Sequence, residues 1–136
     1  MIELYQYKAT VEKVNDGDTL TALIDLGFNL YHRTTIRLLG IDTPEVKKYS
    51  GRYKYEEEIQ IGKEIGRWVS NRILNKNVLL KTEIDKTDVY GRVLAHLYYK
   101  EGDEWIHLNQ QMIDLGFNKK NIQEKLESST TIEIPA

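Results

Sequence analysis

The chain has no cysteine among its 136 residues. That absence removes disulfide staples, thiolate nucleophiles and cysteine-ligated zinc together. It leaves the compartment open, because many secreted proteins also manage without cysteine. No apolar run approaches the roughly 20 residues that cross a bilayer as a helix. The amino terminus, MIELYQYKAT, lacks both the basic and the apolar region of a secretory signal. The expectation is a soluble monomer that does not enter a membrane, with a leader removed ahead of this segment left open. Positive charge is also short: 19 Lys and Arg against 21 Asp and Glu give a net charge of −2. This argues against a uniformly basic coat for nucleic acid, although a local patch can still bind phosphate. His32, His96 and His107 have no metal-ligand spacing and no evident partner, so none is a candidate base. There is no Walker loop, nucleophile elbow or Rossmann fingerprint.

What is present is an ordered alternation of strand and helix signals. Residues 7–14 and 19–24 are rich in Val, Thr and Leu, with Leu20, Ala22 and Ile24 alternating against Thr19, Thr21 and Leu23. Between them the Asp16-Gly17 pair suits a hairpin turn, since both residues tolerate positive φ. The turn DLGFN leads to a third strand over 31–41. The period then lengthens: Ile61, Ile65, Trp68, Val69 and Ile73 recur at helical spacing over 59–74, opposite Lys63, Glu64, Arg67 and Asn71. Trp68 is expected in the core. The acidic run 56–58 stands where the positive end of a helix dipole favours carboxylates. Strands over 78–84 and 93–99 and a short helix over 108–115, stopped by Gly116, complete the series. Five strands, a helix after the third and a short C-terminal helix predict an α+β fold built on a small barrel of the OB type. Residues 1–127 read as one domain, and 128–136 as a loosely held tail. Ile122 and Leu126 suit a further turn or two of helix, while TTIEI alternates like a strand.

The segment RLLGIDTPE sets one arginine before two carboxylates and a proline. On a straight strand Arg37, Leu39 and Ile41 share one face, and Ile36, Leu38 and Asp42 the other. A bulge or bend at Gly40 would re-aim the residues that follow. Pro44 then ends the ladder and leaves Asp42 and Glu45 at the strand's exit. Taken singly, DTPE, the hairpin residue Asp18 and the stretch DVYGR at 88–92 are each also ordinary turns.

Taken together, NDGDT, IRLLGIDTPE and DVYGR, in that order and spacing, resemble the thermonuclease family of staphylococcal-nuclease-like endonucleases. The likeness covers roughly residues 5–117, and EGDEWIHLNQQMIDLGF resembles that family's last hairpin and helix. It implies an OB barrel and metal-dependent hydrolysis of DNA and possibly RNA, with low sequence selectivity, cutting the bond to the 5′ oxygen and leaving 3′-phosphates. By the same resemblance Arg37 and Arg92 would hold the scissile phosphate. Their planar, always protonated guanidinium groups match its oxygens. Asp18 and Asp42, joined by the backbone carbonyl of Thr43, would be the metal ligands. Such hard oxygens suit Ca2+ or Mg2+, and calcium is that family's usual ion. Glu45 would orient the attacking water or take its proton, and Tyr90 would contact the nucleotide's phosphate. Independently of the likeness, the loop at 46–55 carries four basic residues, among them Lys47, Lys48 and Arg52, with three tyrosines and no acid. That composition suits a phosphate backbone and stacked bases, or simply a solvated loop. Val89 departs from the prototype's lysine, and NKKNIQEKL departs from its long final helix. The alternative function is a non-catalytic OB module that binds single-stranded nucleic acid or a protein partner.

Overall fold

The computed structural model describes residues 3–46, 55–87 and 89–136. Strands β1 (Gln6–Asp16), β2 (Thr19–Gly27) and β3 (Leu30–Leu38) form an antiparallel meander. Helix α1 (Glu57–Ile73) follows, then β4 (Asn77–Thr87), β5 (Val93–Glu101), the short β6 (Glu104–His107), α2 (Leu108–Asp114) and α3 (Lys119–Glu127). The sheet order is β3-β2-β1-β4-β5-β6, and β3 also pairs with β5 in parallel. That one parallel contact closes five strands into the expected OB-type α+β barrel. β6 is appended to β5 as the second arm of the last hairpin.

The strand periodicity is realised in β2, where Leu20, Ala22 and Ile24 are buried while Thr21 and Leu23 are half-buried. Thr19 breaks the pattern: it is buried although it belongs to the polar series, because the site described below closes over it. The helical periodicity is realised in α1, whose Ile61, Ile65, Trp68, Val69 and Ile73 all enter the core. Each such side chain contributes about 1.5–3 kcal/mol through lost contact with water. Trp68 meets Phe117 edge to face, with ring centroids 5.1 Å apart, and the Arg72 guanidinium covers the Trp68 ring at 3.7 Å. The helix stops at Asn75, at φ +61°, whose N–H passes to the Val11 carbonyl of β1. Residues around Ile122 and Leu126 form α3, and Ile122 is buried. After α3 there is no further helix or strand; Ile132 and Ile134 pack half-buried against the core, and Arg72 donates to the Ala136 carbonyl.

Two local expectations are corrected. The first hairpin turns on Gly17 and Asp18, not on Asp16 and Gly17, and neither turn residue has positive φ. Gly17 is required for space: a Cβ there would lie 2.8 Å from Ile65 Cγ2 and 2.9 Å from Thr43 Oγ1. The third strand ends at Leu38 instead of 41, because Gly40 adopts φ +79° and takes the chain out of the ladder.

Candidate functional site

The site is assembled by strand register. Thr19 pairs directly with Arg37, and Arg37 pairs with Leu94 across the parallel closure. Barrel closure therefore brings the β1–β2 turn with Asp18, the end of β3 and the approach to β5 with Arg92 to one rim. The backbone ties them, with the Leu38 N–H donating to the Asp18 carbonyl at 2.9 Å.

The bend at Gly40 does the rest. It carries the chain back over Arg37, so that Nη1 donates to the carbonyls of Leu38 and Ile41 at 2.6 and 2.5 Å. Nη2 then faces the Asp42 Oδ1 at 3.4 Å and the Asp18 Oδ2 at 3.6 Å. Arg37 and Asp42, on opposite faces of a straight strand, are thereby neighbours. Ile41, which a straight strand would leave beside Arg37, is only 2% exposed and fills the core. The side chains of Arg37 and Asp18 are 20% and 11% exposed, whereas Asp42 is 71% exposed. A charge pair this withdrawn from water gives up hydration for its attraction, so its main effect is to set geometry.

Asp18 is held on both oxygens: Oδ1 accepts from the Thr19 hydroxyl at 2.9 Å, and Oδ2 from the Thr43 N–H at 3.0 Å. Arg92 Nη1 donates to that same Thr19 hydroxyl at a long 3.5 Å, and its guanidinium carbon stands 5.1 Å from the Tyr90 ring centroid. Tyr90 and Val89 are both exposed. Thus Asp18, Arg37, Asp42 and Thr43 are in direct contact, with Arg92 one hydroxyl group away. Glu45 lies half-buried on the same loop, and among the described residues it has no ion pair. Lys47, Lys48 and Arg52 lie outside the described residues.

Four supporting residues were not singled out from sequence. Thr19 bridges Asp18 and Arg92. Asn109, buried on α2, accepts from the Leu97 N–H at 2.9 Å and donates to the carbonyls of Leu39 at 2.8 Å and Ala95 at 3.2 Å, fastening the β3 exit to β5. Asn118 stands at the N-cap of α3 yet makes no side-chain cap bond; its Oδ1 accepts from the Asp42 N–H at 2.9 Å, while Lys119 N–H donates to the Asp42 carbonyl at 2.6 Å. Gly62 of α1 lies under the Glu45 loop, where an added Cβ would stand 2.6 Å from the Pro44 carbonyl oxygen and 3.2 Å from that of Glu45. Only Asn118 carried a sequence signal: an Asn directly before a helical run reads as a cap. That signal points to its own helix and not to Asp42.

Chemically the rim offers hard oxygen donors on Asp18 and Asp42 beside a fixed guanidinium. Thr43 Oγ1 adds a buried hydroxyl with no hydrogen-bond partner. Among the described residues no three Asp, Glu or His side chains converge as a metal cluster. A cation seated here would therefore take much of its coordination from carbonyl oxygen, water or substrate.

Comparison with known proteins identifies the family. The family model of staphylococcal nuclease homologues matches residues 35–134. The match includes Arg37, the 42–45 segment and Arg92, and begins beyond Asp18. A thermonuclease of Staphylococcus intermedius is 31% identical, over 72% of this chain and 51% of that protein. An uncharacterized protein of Methanocaldococcus jannaschii is also 31% identical, over 82% of this chain and 58% of that one. The chain spans about half the length of these curated relatives. A match over most of the chain, on a closed five-stranded barrel, places this protein in the staphylococcal nuclease homologue family.

Proposed function

We propose that the chain is a calcium-dependent endonuclease of low sequence selectivity that hydrolyses phosphodiester bonds in DNA, and in RNA by the same chemistry, leaving 3′-phosphates. The observation that carries this reading is the contact of Arg37 with both Asp18 and Asp42, with Arg92 reaching the same cluster through Thr19. A phosphodiester is anionic and repels a nucleophile, so its hydrolysis needs fixed positive charge and a positioned water. Arg37 and Arg92 supply the charge from the β3 and β5 sides. Both guanidinium groups stay protonated, so they stabilise the growing negative charge of the five-coordinate phosphorus without donating a proton. Glu45 orients the attacking water and takes its proton. The new P–O bond forms as the bond to the 5′ oxygen breaks, and that oxygen takes a proton from solvent.

The donor set of Asp18, Asp42 and the Thr43 carbonyl fits calcium, with magnesium as the competing ion of the same hard class. A bound divalent cation supplies further positive charge beside the phosphate. With two carboxylates in this set, binding is weak in the absence of nucleic acid. Tyr90 flanks Arg92 at the mouth of the site and contacts the phosphate from the exposed side. Lys47, Lys48 and Arg52 hold the neighbouring backbone. Val89, where lysine would add a phosphate contact, lowers affinity relative to a more basic relative.

Gel assays on plasmid and single-stranded DNA with calcium, with magnesium and with chelator test the proposal. Glu45→Gln and Arg92→Ala are each expected to lower cleavage by about 10²-fold or more while leaving the circular dichroism spectrum unchanged. Full cleavage in chelator would overturn the metal assignment, and undiminished cleavage by Glu45→Gln would overturn the role of Glu45.

A further inference from the structure

The outward-facing positions of β1, β4, β5 and β6 form a surface that the catalytic reading does not use. Register sets Lys8, Leu79, Tyr98 and His107 side by side across the four strands, with Lys81 and His96 paired in the next row. His107 stacks on Tyr98, the ring centroids 4.6 Å apart and the planes 15° from parallel, and its Nε2 lies 3.0 Å from the His96 Nδ1. Trp105 pairs across from Lys100, whose Nζ stands 5.8 Å from its ring centroid, and the indole is 47% exposed. Between Tyr98 and Trp105 is a mostly apolar hollow of about 140 Å³, floored by Leu79 and rimmed by Lys81 and Gln6. That is well below the roughly 300–1,000 Å³ of small-molecule sites and suits a single planar ring.

Rings interleaved with lysines point to the occupant. The chain as a whole is at −2, yet this face presents Lys8, Lys81 and Lys100, all exposed. Its carboxylates are at the border: Glu83 one step beyond Lys81, Glu3 bonded to Gln6, Glu101, Asp103 and Glu104 at the hairpin tip beyond Lys100 and Trp105, and Glu12 farther along β1, paired with Arg33. Flat rings interleaved with lysines match a ligand that alternates planar bases with phosphates. From β1 to β6 the row extends about 14 Å at ordinary strand spacing, enough for a short run of nucleotides.

We propose that this face binds single-stranded nucleic acid, with bases stacked on Trp105 and on the Tyr98–His107 pair and phosphates held by Lys8, Lys81 and Lys100. It is a second surface, separate from the Asp18–Arg37 rim, and its binding stands whether or not the chain cleaves. Its use would be to keep hold of a strand between cuts and to favour unpaired over duplex substrate, since stacking needs splayed bases.

The test is fluorescence anisotropy of a labelled oligothymidylate with the intact chain in chelator, where cleavage plays no part. Tryptophan emission is followed in parallel, because Trp105 is exposed while Trp68 is 2% exposed. The oligonucleotide should quench the Trp105 emission. Trp105→Ala should weaken binding about tenfold or more, and Trp105→Phe, which still stacks, should restore most of it. Lys8→Ala with Lys81→Ala should flatten the slope of log affinity against log salt by about 1.4. If Trp105→Ala does not fold, quenching and the salt slope decide. Unquenched Trp105 emission, or unchanged binding in the tryptophan and lysine variants with all affinity lost instead in Arg37→Ala, would overturn the proposal. Failure of DNA or RNA oligonucleotides to bind while a protein partner occupies this face would overturn it equally.

Discussion

Arg37 shows how narrowly one side chain is specified. Its Nη1 is taken up by two backbone carbonyls, which fixes the guanidinium plane and leaves Nη2 facing the two aspartates. Lysine would keep the charge but has no planar fork, so it cannot satisfy the Leu38 and Ile41 carbonyls while reaching toward the rim. Arg37→Lys should therefore lower kcat by about 10²–10³-fold, read by steady-state cleavage kinetics. A variant with near-normal kcat would show that charge alone suffices. From sequence this residue was identifiable as a charge near the end of a strand. Its contact with Asp42 depends on the bend expected at Gly40: alternation put the two on opposite faces, and the positive φ of Gly40 reverses that. Thr19 illustrates the converse: strand periodicity sorts it with the exposed polar residues, and it is buried because Asp18 and Arg92 both use its hydroxyl.

Among the elements, α1 was the most legible, since five apolar residues at helical spacing have few other ways to bury a common stripe. Its second task was hidden. The helix supports the Glu45 loop through Gly62, and nothing about a glycine within a helical run says which backbone will lie against it. Gly62→Ala would set a methyl group 2.6 Å from the Pro44 carbonyl oxygen, so the loop has to move. The expected result is a loss of about 1–3 kcal/mol in thermal or urea unfolding, from overpacking. A fall in kcat of up to about 10²-fold, with a smaller change in KM, should accompany it as Glu45 is displaced. Lost stability with intact kcat would show that the contact supports packing alone. The two clamps on Asp42 from the start of α3 were equally out of reach of sequence, because they join residues 76 and 77 positions apart.

At the scale of the whole molecule, one titrating group away from the rim ties stability to pH. Burial, and then the neighbouring His96, hold the His107 pKa below its ordinary 6.5. The folded state therefore favours the neutral ring, and the unfolded chain binds the extra proton first. This contribution to stability is complete above the unfolded value and is lost as pH falls from there through the folded value. Urea denaturation from pH 7.5 down to 5 should show declining stability, a decline that His107→Phe reduces, with a proton NMR titration locating the His107 pKa below 6.5; an equal decline in both proteins would remove His107 as its cause. The amino-acid sequence by itself determined the order of strands and helices, the apolar faces that make the barrel's interior and the charged motifs that mark the family, because each is written in local periodicity and residue type. Tertiary structure alone decided which charges meet. Parallel pairing of β3 with β5 and the reversal at Gly40 bring residues 18, 37, 42 and 92 within reach of one another, and such proximity is a property of register and backbone direction that no local window of sequence contains.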